Sequence, residues 1–258
     1  MKQKILEYFK DLTFNEEEHI YFVKGEKIKI SVSGLIKRFE KEVDFVKKAK
    51  EKDENNKLIK EIVRDVDFGF LAKGAGEDLK LPTKKTKEVW DTKAELACAK
   101  GTKVHLFGEV YPFNRNLKPQ NKFEEAIVKF WNDIPDHIIP VIMELQMYHK
   151  EYMFAGTADI LLYDTKSETY IIGDYKTNEN LFRNFLGKTL KDVFSNLLNT
   201  SFNKYQLQLS FYQILFEQLG LKVSDRKLVW LLPTGEYEMY DTQDYTKELK
   251  EHLKYNPI

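Results

Sequence analysis

The chain has a single cysteine, Cys98, which excludes an internal disulfide and any four-thiolate zinc or iron-sulfur site. An excess of one charge is missing as well: 41 Lys and Arg offset 41 Asp and Glu. No whole-protein field therefore draws in a polyanion, and any nucleic-acid contact must be local. No apolar run approaches the roughly 20 residues that span a bilayer, and the opening MKQKILEYFKDLTFNEEE places acids where a secretory leader needs its apolar stretch. The expectation is a cytoplasmic protein with no membrane partner. Internal repeats and low-complexity tracts are absent. So are a G-x-x-x-x-G-K-[ST] phosphate loop and a nucleophile elbow, which leaves a small-molecule phosphotransferase or hydrolase poorly supported.

What is present is a well-formed globular composition, 42% hydrophobic and 14% aromatic over 258 residues, enough for one sizeable core. The expected organisation is one domain over 1–258, with an N-terminal hairpin and helical elaboration in 1–85, a catalytic core in 86–220, and closing strands and a helix in 221–258. Two segments concentrate positive charge. Thr83 to Lys103 has six lysines against three acids, and Arg183 to Lys204 has four basic residues against one acid.

Along the chain, His19–Val23 and Lys27–Ser31 around Lys24-Gly25-Glu26 read as a hairpin. Ser31 or Ser33 can then cap a short helix through Gly34 to Phe39. Glu40 to Val66 reads as exposed helices and Gly69 to Pro82 as a loop. Apolar spacing predicts a long helix over Thr86–Tyr111, with close packing or interruption at Gly101 and Gly108, and a second helix near Phe123–Trp131. The period then changes: Val141–Tyr148, Gly156–Tyr163 and Thr169–Thr177 read as three strands of a meander. Helical spacing returns over Leu181–Leu198 and Tyr205–Leu219. Two strands, Lys227–Leu232 and Glu236–Tyr240, and a helix near Tyr245–Leu253 follow. The fold class implied is α/β, a central mixed, antiparallel-rich sheet flanked by helices.

The chemistry concentrates in Ile171-Ile172-Gly173-Asp174-Tyr175-Lys176-Thr177. Strand side chains alternate, so Asp174 and Lys176 share a face and Tyr175 points the other way. A turn centred between Lys166 and Ser167 pairs positions that sum to 333, which sets Asp159 of the preceding strand opposite Asp174. Two carboxylates that close repel unless a cation lies between them. Hard oxygen donors suit Mg²⁺ or Mn²⁺, and a lysine alongside can orient a water or stabilise negative charge.

These residues also resemble a known family. Gly156-Thr157-Ala158-Asp159, fourteen residues, then Asp174-Tyr175-Lys176-Thr177 is similar to the motif pair of RecB-type nucleases of the PD-(D/E)XK superfamily. Gly101-Thr102-Lys103-Val104-His105 resembles that family's G-T-x-x-H element, Glu144 falls where relatives carry a glutamate near the metal, and Gln208-Leu209-Ser210-Phe211-Tyr212 resembles its Q-x-x-x-Y motif. The resemblance covers about 86–220 and implies a restriction-endonuclease-like core. It implies Asp159, Asp174, the Tyr175 carbonyl and His105 as metal ligands, and Lys176 and Glu144 as catalytic groups. Gln208, Tyr212 and Thr177 become contacts to DNA.

By the same resemblance the function expected is a Mg²⁺- or Mn²⁺-dependent deoxyribonuclease, an exonuclease of phage or bacterial recombination and repair. Its partners are DNA and a single-strand annealing or recombinase protein, with a homo-oligomer also open. The iron-sulfur cluster of some relatives is not expected, because it needs four cysteines. The competing reading is a catalytically inactive nucleic-acid-binding module on the same fold. His19, His137, His149 and His252 lack a matched context and read as structural or exposed.

Overall fold

Three long strands in the middle of the chain organise the molecule: β5 (Ile138–Tyr148), β6 (Phe154–Asp164) and β7 (Thr169–Lys176). The structure is a computed structural model, and it describes residues 1–16, 18–41, 101–184 and 187–256. Expectations for the helices of Glu40–Val66, the loop Gly69–Pro82, residues 86–100 of the long helix and nearly all of the basic stretch from Thr83 lie outside the described residues. Met1–Lys41 and Lys103–Ile258 form one compact unit.

Ahead of the meander come α1 (Lys2–Tyr8), β1 (Leu12–Asn15), β2 (Ile20–Val23), β3 (Glu26–Lys27), β4 (Ile30–Ser31) and α2 (Val32–Arg38). Residues 101–110 form α3, followed by α4 (Lys122–Asp133). After β7 come a single 3₁₀ turn (Asp192–Phe194), α5 (Ser201–Glu217), β8 (Val223–Leu231), β9 (Tyr237–Asp241) and α6 (Thr246–Tyr255). Strands β1, β2 and β3 make a small antiparallel sheet, and the other six make a mixed one. In the large sheet β5, β6 and β7 run antiparallel in sequence, β8 joins β7 in parallel, and β9 closes the edge antiparallel to β8. Helices cover both faces, α2 and α5 over one core and α3 and α4 over the other. The class is mixed α/β, as expected. No described helix is long and apolar enough to cross a membrane.

The hairpin forms around Lys24 and Gly25, both at positive φ (51° and 82°), but the second strand is short and the chain then crosses into the large sheet as β4. Ser31 caps α2, its hydroxyl accepting the Gly34 N–H at 3.2 Å. Helix α5 is buried nearly all round, from Gln206 to Phe216 with only Gln208 half-exposed. Its polar groups are therefore internally satisfied: Ser210 donates to the Gln206 carbonyl (2.9 Å) and accepts the Tyr245 N–H (3.1 Å), and Gln206 accepts the Gln243 N–H (2.9 Å). Those bonds fasten the C-terminal segment to the helix.

Among the described residues of Leu181–Leu198 the expected helix does not form. Asn180 accepts the N–H groups of Phe182 and Arg183 (2.9 and 2.8 Å), turning the chain at once, and Gly187 takes a φ of 62°. The Asn184 side chain donates to the Lys188 carbonyl (2.7 Å) in place of a helical ladder. The apolar residues that gave helical spacing, Leu181, Leu190 and Phe194, are buried as separate anchors of a loop.

The β5–β6 turn carries a histidine whose state is legible. His149 Nδ1 accepts from the N–H groups of Tyr152 (3.2 Å) and Glu151 (3.3 Å), so the ring must be neutral there. Burial holds its pKa below the ordinary 6.5, and the Lys250 charge adds to this against Glu151. The folded chain therefore takes up this proton less readily than the unfolded one. Its contribution to stability is present above pH 6.5 and lost as pH falls toward the depressed folded value. NMR of the imidazole is expected to show His149 still neutral at pH 6.5; a ring half-protonated at or above that pH contradicts the assignment.

Candidate metal and catalytic site

The site begins with an opening in the sheet. Strand β5 pairs β6 along almost its whole length, and Ala155 of β6 is bonded to Tyr148 of β5 on one side and Ser31 of β4 on the other. Strand β7 must therefore share β4's side, and it meets β6 only over Ile160–Asp164. Between those two contacts Gly156, Thr157, Ala158 and Asp159 have no ladder partner on that side among the described residues. The β6–β7 register sums to 333, as the turn predicts, and its last pair is Ile160 with Gly173. Asp159 and Asp174 are next in line, just where the two strands part.

A second irregularity lies on the same row. The β5–β6 ladder pairs Met143 with Ile160 and Leu145 with Ala158, skipping Glu144 and Asp159 between them. Glu144 has a φ of 53°, a left-handed conformation that costs a non-glycine residue on the order of 1 kcal/mol. Both strands change sides here. Met143 and Ile160 pack into the core beneath α3 and α4, while Leu145 and Ala158 pack into the core beneath α2 and α5. Glu144 and Asp159 are the hinge residues of that switch, which directs their carboxylates together.

His105 completes the group from α3. Its Nδ1 lies 3.3 Å from Asp159 Oδ2 and 3.5 Å from Glu144 Oε1, and one ligand atom of each residue lies within 4.8 Å of the others. Asp159 Oδ2 also accepts the backbone N–H of Tyr175 at 2.8 Å, tying β6 to β7 across the gap. Lys176 pairs with Asp174, and its ammonium sits 4.5 Å from the centre of the Tyr205 ring of α5. Asp174 and Lys176 share the α5 face as strand alternation requires. The Tyr175 ring goes to the opposite core, where its hydroxyl accepts from Trp131 Nε1 at 2.8 Å.

Gly108 explains how α3 comes so near. A Cβ there would stand 2.7 Å from Tyr175 Cε2 and 3.4 Å from Ile127 Cδ1. Gly108→Ala is expected to lose about 1–3 kcal/mol of stability, read as a lower denaturation midpoint. An unchanged midpoint would mean that the ring has room to move.

The charges are strongly interdependent. Burial works against a proton on His105, yet the Asp159 carboxylate and hydrogen bonds to Asp159 and Glu144 push the imidazole up to about 10. Asp159 is fully buried; despite that cost, His105, Lys176 and the Tyr175 N–H hold it below the usual carboxylate range. Asp174 goes the other way: burial and the Asp159 charge push it up to about 7 against the pull of Lys176. Glu144 is raised by burial first and by Asp159 in addition. Lys176 is raised in spite of burial, by Asp174 and then Asp159.

An imidazole nitrogen and two carboxylate oxygens within a few ångströms make a donor set that a first-row divalent ion accepts, since bonds of roughly 2.1 Å place neighbouring donors about 3 Å apart. Without an ion, the His105 imidazolium is the positive charge that balances the two acids. Glu144 thus joins His105 and Asp159, whereas Asp174, expected as a ligand, stands outside this group of three and faces Lys176.

Gln208 and Tyr212 do share one face of α5, with Gln208 Nε2 donating to the Tyr212 hydroxyl at 2.6 Å. The Tyr212 hydroxyl is raised well above its ordinary value by burial and by Asp174 and Asp159. Thr177 is half-buried just past β7. Two residues of the site's frame went unread in the sequence. Tyr205 lies under Lys176 and donates to Asn178 Oδ1 at 2.8 Å, and Tyr21 of the N-terminal sheet bonds Thr157 Oγ1 at 2.8 Å. The spacing of Tyr205, Gln208 and Tyr212, three then four residues, was the available signal for the first. Tyr21 gave none. Comparison of the chain with protein-family models and with curated proteins finds no match.

Proposed function

We propose that this chain is a divalent-metal-dependent nuclease that hydrolyses DNA phosphodiester bonds, an exonuclease built on a PD-(D/E)XK-type core. The observation that carries the reading is the meeting of two groups at one opening of the sheet: the His105, Glu144 and Asp159 cluster, and the buried Asp174–Lys176 pair. A purely structural ion pair needs no second cluster of acids beside it, and two extra carboxylates there raise the cost of burial.

In this reading His105, Glu144 and Asp159 hold a Mg²⁺ or Mn²⁺ ion. When bound, such an ion neutralises phosphate charge and supplies an acidified water. Asp159 fixes β7 through the Tyr175 N–H, so metal binding and the position of Lys176 are mechanically joined. Asp174 holds the Lys176 ammonium, which orients the attacking water or meets the negative charge that develops on the phosphate. Gln208 and Tyr212 brace the site from α5 or meet the DNA.

End-labelled linear DNA and circular DNA incubated with Mg²⁺ or Mn²⁺, with and without EDTA, test this directly. Metal-dependent shortening of linear but not circular DNA is the expected result. DNA that is bound but never cut in either metal favours the inactive binding module instead. Loss of circular DNA makes the enzyme an endonuclease.

A further inference from the structure

The His105, Glu144 and Asp159 group draws on α3, β5 and β6, yet a side chain of the small N-terminal sheet also reaches the opening. Tyr21 pairs with Phe14 across β1 and β2, and the two rings pack at 4.5 Å between centres, which fixes the direction of the Tyr21 hydroxyl. That hydroxyl lies 2.8 Å from Thr157 Oγ1. Thr157 is held by its β5 partner Gln146 and stands two residues before Asp159. It lies inside the stretch of β6 that has no ladder partner on the β4 and β7 side among the described residues.

The contact leaves one hydrogen over. The two hydroxyls carry two hydrogens, and their mutual bond uses one. Neither hydroxyl has a second partner among the described residues, so the other hydrogen is free for an acceptor from outside the chain. Its surroundings are those of the site. Burial first, and then Glu144 and Asp159 against the Thr157 bond, push the Tyr21 hydroxyl above its ordinary value. Tyr21 is also among the groups that raise Tyr212 of α5. A neutral donor suits that place. Two acids attract a cation but repel the phosphate that must arrive with it, and a hydroxyl offers the phosphate a hydrogen bond at the point where charge develops.

We propose that Tyr21 is a catalytic residue whose hydroxyl donates to a non-bridging oxygen of the scissile phosphate, with Thr157 as its positioning residue. Thr157 donates to the Tyr21 oxygen and so turns the phenol hydrogen toward the substrate. The role rests on the nuclease reading. It makes the N-terminal sheet a wall of the active site, since the pairing of β1 with β2 sets where the hydroxyl stands.

The test measures kcat and KM on end-labelled linear DNA in Mg²⁺, with Mn²⁺ affinity and the thermal midpoint taken on the same proteins. Tyr21→Phe keeps the ring on Phe14. It is expected to lower kcat about 100-fold, with KM and Mn²⁺ affinity as in wild type and the midpoint within a few degrees. Thr157→Val is expected to lose less, and Thr157→Ser to recover most of that loss. The double variant Tyr21→Phe, Thr157→Val should be no slower than Tyr21→Phe alone, because the two hydroxyls act as one donor. Wild-type kcat in Tyr21→Phe overturns the role. A fall in kcat that comes with an equal fall in Mn²⁺ affinity, or with a collapsed midpoint, also overturns it and makes the pair a structural tie. Additive losses in the double variant do the same. A wild type that cuts no DNA in either metal removes the nuclease reading and this role together, whereas a wild type that cuts no faster than Tyr21→Phe removes the role alone.

Discussion

Lys176→Met is expected to lower metal-dependent DNA cleavage at least about a thousandfold while leaving the protein folded. The side chain keeps its length and loses its charge, so the Tyr205 ring retains a packing partner while, in the proposed mechanism, the reacting phosphate loses its ammonium. The usual objection, that a buried aspartate would be stranded, is met by the environment of Asp174. Burial and the Asp159 charge push its carboxyl up to about 7, and Lys176 is one of the groups holding it down. Without the lysine the carboxyl rises further and takes up a proton at neutral pH, which removes the buried charge. A thermal melt beside a cleavage assay reads both quantities. Wild-type rates in the variant would remove Lys176 from the mechanism, and a collapsed melt would show that it is mainly a structural counter-ion.

Asp159→Asn is the second large effect. The amide oxygen can still accept the Tyr175 N–H, so the tie between β6 and β7 survives, but the charge that faces His105, and that the proposed metal would share, is gone. Mn²⁺ affinity is expected to fall by about 100-fold or more, since removing even a residue that only supports a ligand costs about 10–100-fold. In the metal-free protein the His105 proton is held to about 10 chiefly by Asp159. That raised value stabilises the wild type fully below pH 6.5, and the contribution disappears as pH climbs toward 10. The Asn variant is expected to lose this term, and His105 should titrate well below 10 by NMR. A variant with an unchanged imidazole and unchanged Mn²⁺ affinity would show that the cluster does not work as a unit.

The parts of the site that were legible beforehand share a physical cause. The β6–β7 register followed from one turn, because Asp164 accepts from Lys166 N (2.8 Å) and Ser167 N (3.4 Å) and so centres the reversal where the turn residues are. Alternation then placed Asp174 and Lys176 on one face and the Tyr175 ring on the other. Local rules failed where a segment's shape is set by what it packs on. Leu181–Leu198 has helical spacing, but its buried residues anchor a loop. Glu144 looks like an ordinary strand residue, and its positive φ comes from two strands exchanging cores on the same row.

Taken alone, the sequence determined the three-strand meander, the helix that follows it near Tyr205 and the two closing strands, together with the register of the central hairpin and the residue types at the site. Those follow from periodicities of two and 3.6 and from turn chemistry, all of them short-range. Only the tertiary structure decided that β6 and β7 separate after Ile160, that Glu144 joins His105 and Asp159 while Asp174 turns to Lys176, and that Tyr21 and Tyr205 frame the site. These depend on contacts between residues far apart in the chain, such as His105 with Asp159 and Tyr21 with Thr157. No local propensity encodes them, because their energy exists only after the sheet has closed against its helices.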